Sequence, residues 1–143
     1  MGAAGDVTVV VPSARTHGFA GAGGLKSCLP LAHERFARDL DEALGPGSVL
    51  PWDGPAKTFH AKGLWALAAP GRCAAAHVGS SNFNQRSAAR DLELGAIIIA
   101  FDEALQGRLA REWRRIRRDA RPFAAPEQPW WTPILLPILR PFM

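Results

Sequence analysis

The chain has 143 residues, enough for one domain with one core, and its 48% apolar against 21% charged residues exclude a long disordered protein. The net charge of +4 is unevenly placed: Arg108 to Arg121 holds seven Arg against Glu112 and Asp119, while the rest of the chain carries ten basic and eleven acidic residues. That distribution excludes a general polyelectrolyte binder and directs any anionic partner to this one segment.

Val7 to Val11 is a β-branched apolar run ended by Pro12, and it predicts a strand buried on both faces. From Ser13 to Gly24 the chain is rich in Gly and Ala, a loop that either turns sharply or lets a ligand approach the backbone. Ala32, Phe36, Leu40 and Ala43 then recur at helical spacing, opposite Glu34, Arg35, Arg38, Asp41 and Glu42, until Gly45-Pro46-Gly47 stops the helix. This helix is expected to cover a sheet, with His33 on its solvated side. Lys57 to Leu67 reads as extended structure divided at Gly63, and Ala74 to Val78 as a further short strand. Leu94 to Phe101, with Ile97, Ile98 and Ile99 in a row, predicts a strand buried on both faces. Asp102 is placed to cap the next helix, in which Leu105, Leu109, Trp113 and Ile116 form an apolar stripe and Arg108, Arg111, Arg115 and Arg118 a basic one, closed by Pro122 and Pro126. The fold class is therefore α/β, a mixed β-sheet flanked by helices. Cys28 and Cys73, too few for a disulfide scaffold and not at metal-ligand spacing, read as buried structural thiols.

The chemistry concentrates in two places. Thr58-Phe59-His60-Ala61-Lys62 sets His60 and Lys62 two apart, which on a strand sends both side chains to one face. Further on comes Gly79-Ser80-Ser81-Asn82-Phe83-Asn84-Gln85-Arg86-Ser87, followed by Asp91 and Glu93. A strand ending in Gly-Ser and turning into a helix that begins near Asn82 presents backbone N–H groups, an amide and hydroxyls to an anion. Phosphoryl transfer needs an activated nucleophile, neutralised equatorial oxygens and a protonated leaving group. The imidazole of His60 can serve the first or third need, and Lys62, Asn82 and Ser80 the second without a metal. Glu93 is a candidate to hydrogen-bond the far nitrogen of His60 and raise its basicity.

His-x-Lys followed by Gly-Ser-x-Asn resembles the phospholipase D superfamily. Over Thr58-Phe59-His60-Ala61-Lys62-Gly63-Leu64-Trp65, Gly79 to Phe83, Arg86-Ser87 and Arg90-Asp91-Leu92-Glu93 the sequence is similar, more narrowly, to the second catalytic half of mitochondrial-type phosphatidylglycerophosphate synthases. The Gly18-Phe19-Ala20-Gly21 loop and the closing Trp-, Pro- and Leu-rich tail fit the same likeness. The resemblance implies a phospholipase D-like half-domain over residues 1–123 with an apolar tail over 124–143, CDP-diacylglycerol and glycerol 3-phosphate as substrates, no cofactor and no metal. It implies catalytic roles for His60, Lys62, Asn82 and Glu93, and substrate binding by Gly79, Ser80, Ser81, Arg86 and Ser87. Where the superfamily pattern has an Asp five positions after the Lys, this chain has Leu67.

Superfamily chemistry pairs two His-x-Lys motifs, one His attacking phosphorus and the other protonating the leaving group. Here there is one, because His17, His33 and His77 are not followed by Lys two residues later. The second is expected from another copy or from a separate N-terminal half. In two-motif relatives the first His is usually the nucleophile, which casts His60 as general acid and later base; in a symmetric homodimer it could take either role. Trp130-Trp131 and the Pro-broken aliphatic run after them suit an interfacial anchor beside the Arg-rich helix, and they equally suit a tail packed on the domain. No import signal is visible, so a mitochondrial location rests on the resemblance. The competing readings are a phospholipase D-type phosphatidylserine synthase, a homodimeric phosphodiesterase or nuclease whose Arg stripe follows a nucleic acid backbone, and an inactive remnant that binds phosphate or a partner.

Overall fold

A computed structural model describes residues 6–55, 58–83, 85–124, 134 and 137, without the side chains of Leu25, Gln85 and Arg86. The chain divides into two units, Met1–His60 with Asp119–Arg140 and Ala61–Arg118 with Pro141–Met143.

In the first unit, β1 (Val9–Pro12) and β2 (Val49–Trp52) pair in parallel, with Val9 opposite Val49 and Pro12 opposite Trp52. A parallel pair needs a crossover, and α1 (Leu29–Leu44) supplies it after a short 3-10 turn (Gly24–Cys28). Pro30 sits in its first turn, where no amide partner is lost, and Pro30, Ala32 and Ala37 form its buried side. The carboxylate of Asp41 accepts from the amides of Val49 (2.7 Å) and Gly47 (3.2 Å), fastening the helix end to the start of β2. These amides, Val49 foremost, hold the Asp41 carboxyl below its ordinary pKa. The returning chain runs antiparallel to Trp52 at Ala120, and Arg121 donates its amide to the carbonyl of Pro51 at 3.0 Å.

The second unit is a meander of β3 (Gly63–Ala69), β4 (Arg72–Gly79) and β5 (Gly95–Ile99), all antiparallel, with α2 (Gln85–Ala89) between β4 and β5 and α3 (Glu103–Arg117) after β5. The register puts Trp65, Ala76 and Ile98 on one face and Leu64, His77 and Ile97 on the other. Among the described residues only the first face is covered by a helix. Cys73, Ala76, Ala100, Leu109 and Ala110 make its core with Trp65 and Leu105, and the indoles of Trp65 and Trp113 lie 5.8 Å apart. Burial of Leu109 alone is worth about 2 kcal/mol. Asp102 caps α3 as expected, its carboxylate accepting from the Leu105 amide at 2.8 Å.

Several expectations are corrected. β5 forms but is not buried: Ile97 is 73% and Ile99 58% exposed, against 36% for Ile98, because α3 covers one face of the sheet only. β1 is half-buried throughout. Sequence reading missed β2, since Pro51 inside it reads as a breaker; a two-stranded sheet tolerates proline on its edge. Thr58 to Lys62 is not part of a strand, so the shared-face argument for His60 and Lys62 does not apply, and Lys57 lies outside the described residues. His33 is not simply solvated: its Nδ1 is buried without a hydrogen-bond partner among the described residues, and its ring lies 5.1 Å from that of His17. Cys73 is fully buried, its thiol pushed up by desolvation, whereas Cys28 is only half-buried. α3 gives way at Arg117, before Pro122; Pro126 and most of the 124–143 tail, Trp130 and Trp131 included, lie outside the described residues.

Candidate active site

The candidate residues fall in both units, and each set is positioned by its own unit. Thr16, 4% exposed, donates its hydroxyl to the carbonyl of Trp52 at 2.8 Å and accepts from the Ser13 amide at 3.0 Å. Its carbonyl accepts from the amide of Phe59 at 2.9 Å, and the Phe59 ring lies 5.2 Å from that of Trp52. The residue before His60 is thus tied by its backbone and its ring to the ends of β1 and β2. His60 itself is exposed.

Lys62 directly precedes β3. Gly63 pairs with Val78, so continuing the antiparallel register sets Lys62 beside Gly79, at the end of the sheet where β4 gives way to Ser80 and Ser81. The same end is held together by Ser80. Its amide donates to the Leu94 carbonyl (2.9 Å), its hydroxyl accepts from the Leu94 amide (3.0 Å), and that hydroxyl donates in a short bond to the Glu93 carboxylate. Gly79, Ser80 and Glu93 are therefore held at one sheet end by the β4–β5 pairing, with Lys62 one residue before β3 and Asn82 two residues beyond Ser80; Ser80 and Asn82 are exposed and Lys62 and Glu93 half-buried. The Lys62 ammonium, the Ser81 hydroxyl and the Asn82 carboxamide near this strand end are groups able to neutralise a phosphoryl group's non-bridging oxygens, while the Ser80 proton is committed to Glu93.

The turn after Asn82 differs from the expected helix start. α2 begins at Gln85, and the amides of Asn82 and Phe83 donate to the hydroxyls of Ser87 and Ser81, each at 3.2 Å. Ser87 is 6% exposed and holds the loop from beneath, and Asn84 and the side chains of Gln85 and Arg86 lie outside the described residues. Phe83 adopts a positive φ of 54°, a backbone region costly for a residue with a large side chain. Its ring meets His77 edge-on at 6.0 Å.

His77 is a residue the sequence reading passed over. Its Nδ1 is buried and unpartnered among the described residues, and its ring lies across two paired glycines. A Cβ at Gly95 would stand 2.3 Å from His77 Nε2, and one at Gly79 2.9 Å from the Leu94 carbonyl. The Gly of Gly-Ser-x-Asn is thereby explained locally by close approach of β5 and an imidazole. A glycine recurring sixteen positions later, at Gly95, was the available signal. Among the described residues no group of three or more His, Cys, Asp and Glu is placed to hold a metal ion, and no helix is long and apolar enough to cross a membrane.

Comparison with known proteins bears on this arrangement. The chain is similar to "CDP-diacylglycerol--glycerol-3-phosphate 3-phosphatidyltransferase, mitochondrial" of Cricetulus griseus and of Homo sapiens, at 30% identity over 156 aligned positions in each case. Both alignments cover 99% of this chain and 28% of the relative. The protein named "CDP-diacylglycerol--glycerol-3-phosphate 3-phosphatidyltransferase" in Schizosaccharomyces pombe is 29% identical over 119 positions, covering 80% of this chain and 24% of its own length. The chain thus spans little more than a quarter of the curated relatives it matches. No protein-family model matches it, and no solved structure does.

Proposed function

We propose that this chain, which belongs to the CDP-diacylglycerol–glycerol-3-phosphate 3-phosphatidyltransferase family, supplies one His-x-Lys catalytic half for that transfer. The observation that carries the reading is the gathering of Lys62, Ser80, Asn82 and Glu93 at one end of the β3–β4–β5 sheet, with His60 two residues before Lys62. In the proposed reaction one imidazole attacks the diacylglycerol-bearing phosphorus of CDP-diacylglycerol. A P–N bond forms, the P–O bond to CMP breaks, and the second imidazole gives its proton to the departing CMP oxygen. The second imidazole then takes the proton of a glycerol 3-phosphate hydroxyl, whose oxygen attacks phosphorus as the P–N bond breaks. His60 is one of the two imidazoles, in the acid–base role, and a second half supplies the other: a second copy, or a separate N-terminal half. Lys62 and Asn82 neutralise the non-bridging oxygens, Gly79, Ser80, Ser81 and Arg86 bind the substrate, and Ser87 does so while holding the loop through the Asn82 amide. No metal or cofactor enters this scheme. Residues 1–123 are the catalytic half-domain in this reading and 124–143 an appended tail. The relatives' names carry a mitochondrial location, which we extend to this chain, at the membrane surface that presents its lipid substrate.

The test is CMP release from CDP-diacylglycerol in detergent micelles by the full chain, alone and mixed with the N-terminal half of a relative. Glycerol 3-phosphate and serine are compared as acceptors. Replacing the acid–base imidazole in His60→Ala is expected to lower turnover by about a thousandfold. Unchanged turnover in that variant removes His60 from the mechanism, and preference for serine reassigns the acceptor. A second reading, cleavage of nucleic acid phosphodiesters by a homodimer, draws on the exposed Arg residues of α3. Hydrolysis of DNA in the absence of lipid would favour it.

A further inference from the structure

We infer that the outward face of α3 is a docking surface for an anionic lipid bilayer. Leu105, Leu109, Ala110, Trp113 and Ile116 turn toward the sheet, each buried or half-buried. At about 100° per residue, Arg108, Arg111, Arg114, Arg115 and Arg118 fall within about a third of the helix circumference, centred opposite that packed side. All five are exposed. Among the described residues Arg108, Arg111, Arg114 and Arg115 make no ion pair, and Glu112 at the border of the arc makes none either. Four unpaired guanidiniums along a helix about 22 Å long carry a self-repulsion that a sheet of negative headgroups relieves.

The shape of the charge selects the partner. Outside Arg108 to Arg121 the chain has one more acidic residue than basic, so its other faces offer a polyanion no continued attraction. A planar bilayer meets one convex face and asks nothing of the others; a nucleic acid bound tightly would gain from wrapping onto them. The proposal deepens the lipid-linked reading above. It is tested without substrate, so that either can fail alone.

The full chain is mixed with vesicles of phosphatidylcholine, with or without phosphatidylglycerol, in the absence of CDP-diacylglycerol, and sedimentation gives the bound fraction. Binding is expected only with phosphatidylglycerol and to weaken steeply with salt. Replacing three arginines together, Arg108→Gln, Arg111→Gln and Arg115→Gln, is expected to weaken it about a hundredfold, at about 1 kcal/mol per residue. Gln keeps the helix propensity of Arg, and circular dichroism verifies the fold. Arg15→Gln, Arg35→Gln and Arg72→Gln together, at residues paired with Asp53, Asp39 and Glu103, is the charge-matched control and is expected to bind as the parent does. Equal binding to phosphatidylcholine alone, an unweakened triple variant, or tighter binding to duplex DNA at equal phosphate would each overturn the inference.

Discussion

His33 shows how a single buried group sets the pH response of the first unit. Its pKa is lowered to about 4, first by burial and then by the neighbouring His17, which burial also lowers. A histidine whose folded pKa lies below its unfolded one contributes stability that is fully present above the unfolded value near 6.5 and is lost as pH falls toward the folded one. Going from about pH 7 to about pH 5 should therefore cost about 2 kcal/mol at this residue. Urea unfolding at both pH values, in the parent and in His33→Leu, checks it: the variant should lose most of the acid sensitivity, with the remainder from His17. A variant as acid-sensitive as the parent would contradict the assignment. This behaviour was not legible in sequence, because His33 sits on the polar side of the helical pattern and its burial comes from the Gly-rich loop carrying His17. The His60-x-Lys62 motif, by contrast, is visible in the sequence because its spacing to Gly79-Ser80-Ser81-Asn82 is a property of the chain itself.

At the scale of elements, periodicity found α1, α3, β4 and β5 and the Asp102 cap, each a local pattern that tertiary contacts do not oppose. It could not say which faces are covered. A run of three isoleucines looks the same whether one face or two are packed, and here β5 is the edge of its sheet, with Ile97 and Ile99 on the side away from α3. An apolar edge strand without Lys or Pro is a template for intermolecular pairing. Light scattering of the purified chain should therefore give a mass above that of the monomer, and Ile97→Lys with Ile99→Lys should bring it down. Both substitutions fall on the bare face and leave the Ile98 side, packed toward α3, untouched. The same mass for parent and variant would show that β5 does not drive association. Pairing across the β4–β5 end, by contrast, explains why Glu93 meets Ser80: Leu94 bonds the serine twice through its backbone, and Glu93 is carried in beside it.

For the molecule as a whole, the resemblance read from two motifs agrees with the relatives, and the α/β class agrees with the parallel and antiparallel sheets flanked by helices. The division into two units, falling between His60 and Lys62, was hidden because the motif runs across it without a break in composition. In the function proposed above, the Lys62 ammonium and the Gly79 to Asn82 turn would receive one phosphoryl group. The direct measurement is an NMR titration of the isotopically labelled full chain with inorganic phosphate, repeated in Lys62→Ala. Saturable amide shifts at Lys62, Ser80, Ser81 and Asn82, strongly weakened in the variant, are the predicted result. Shifts confined to the arginines of α3, or a response at Ser80 to Asn82 that survives loss of the ammonium, would contradict it.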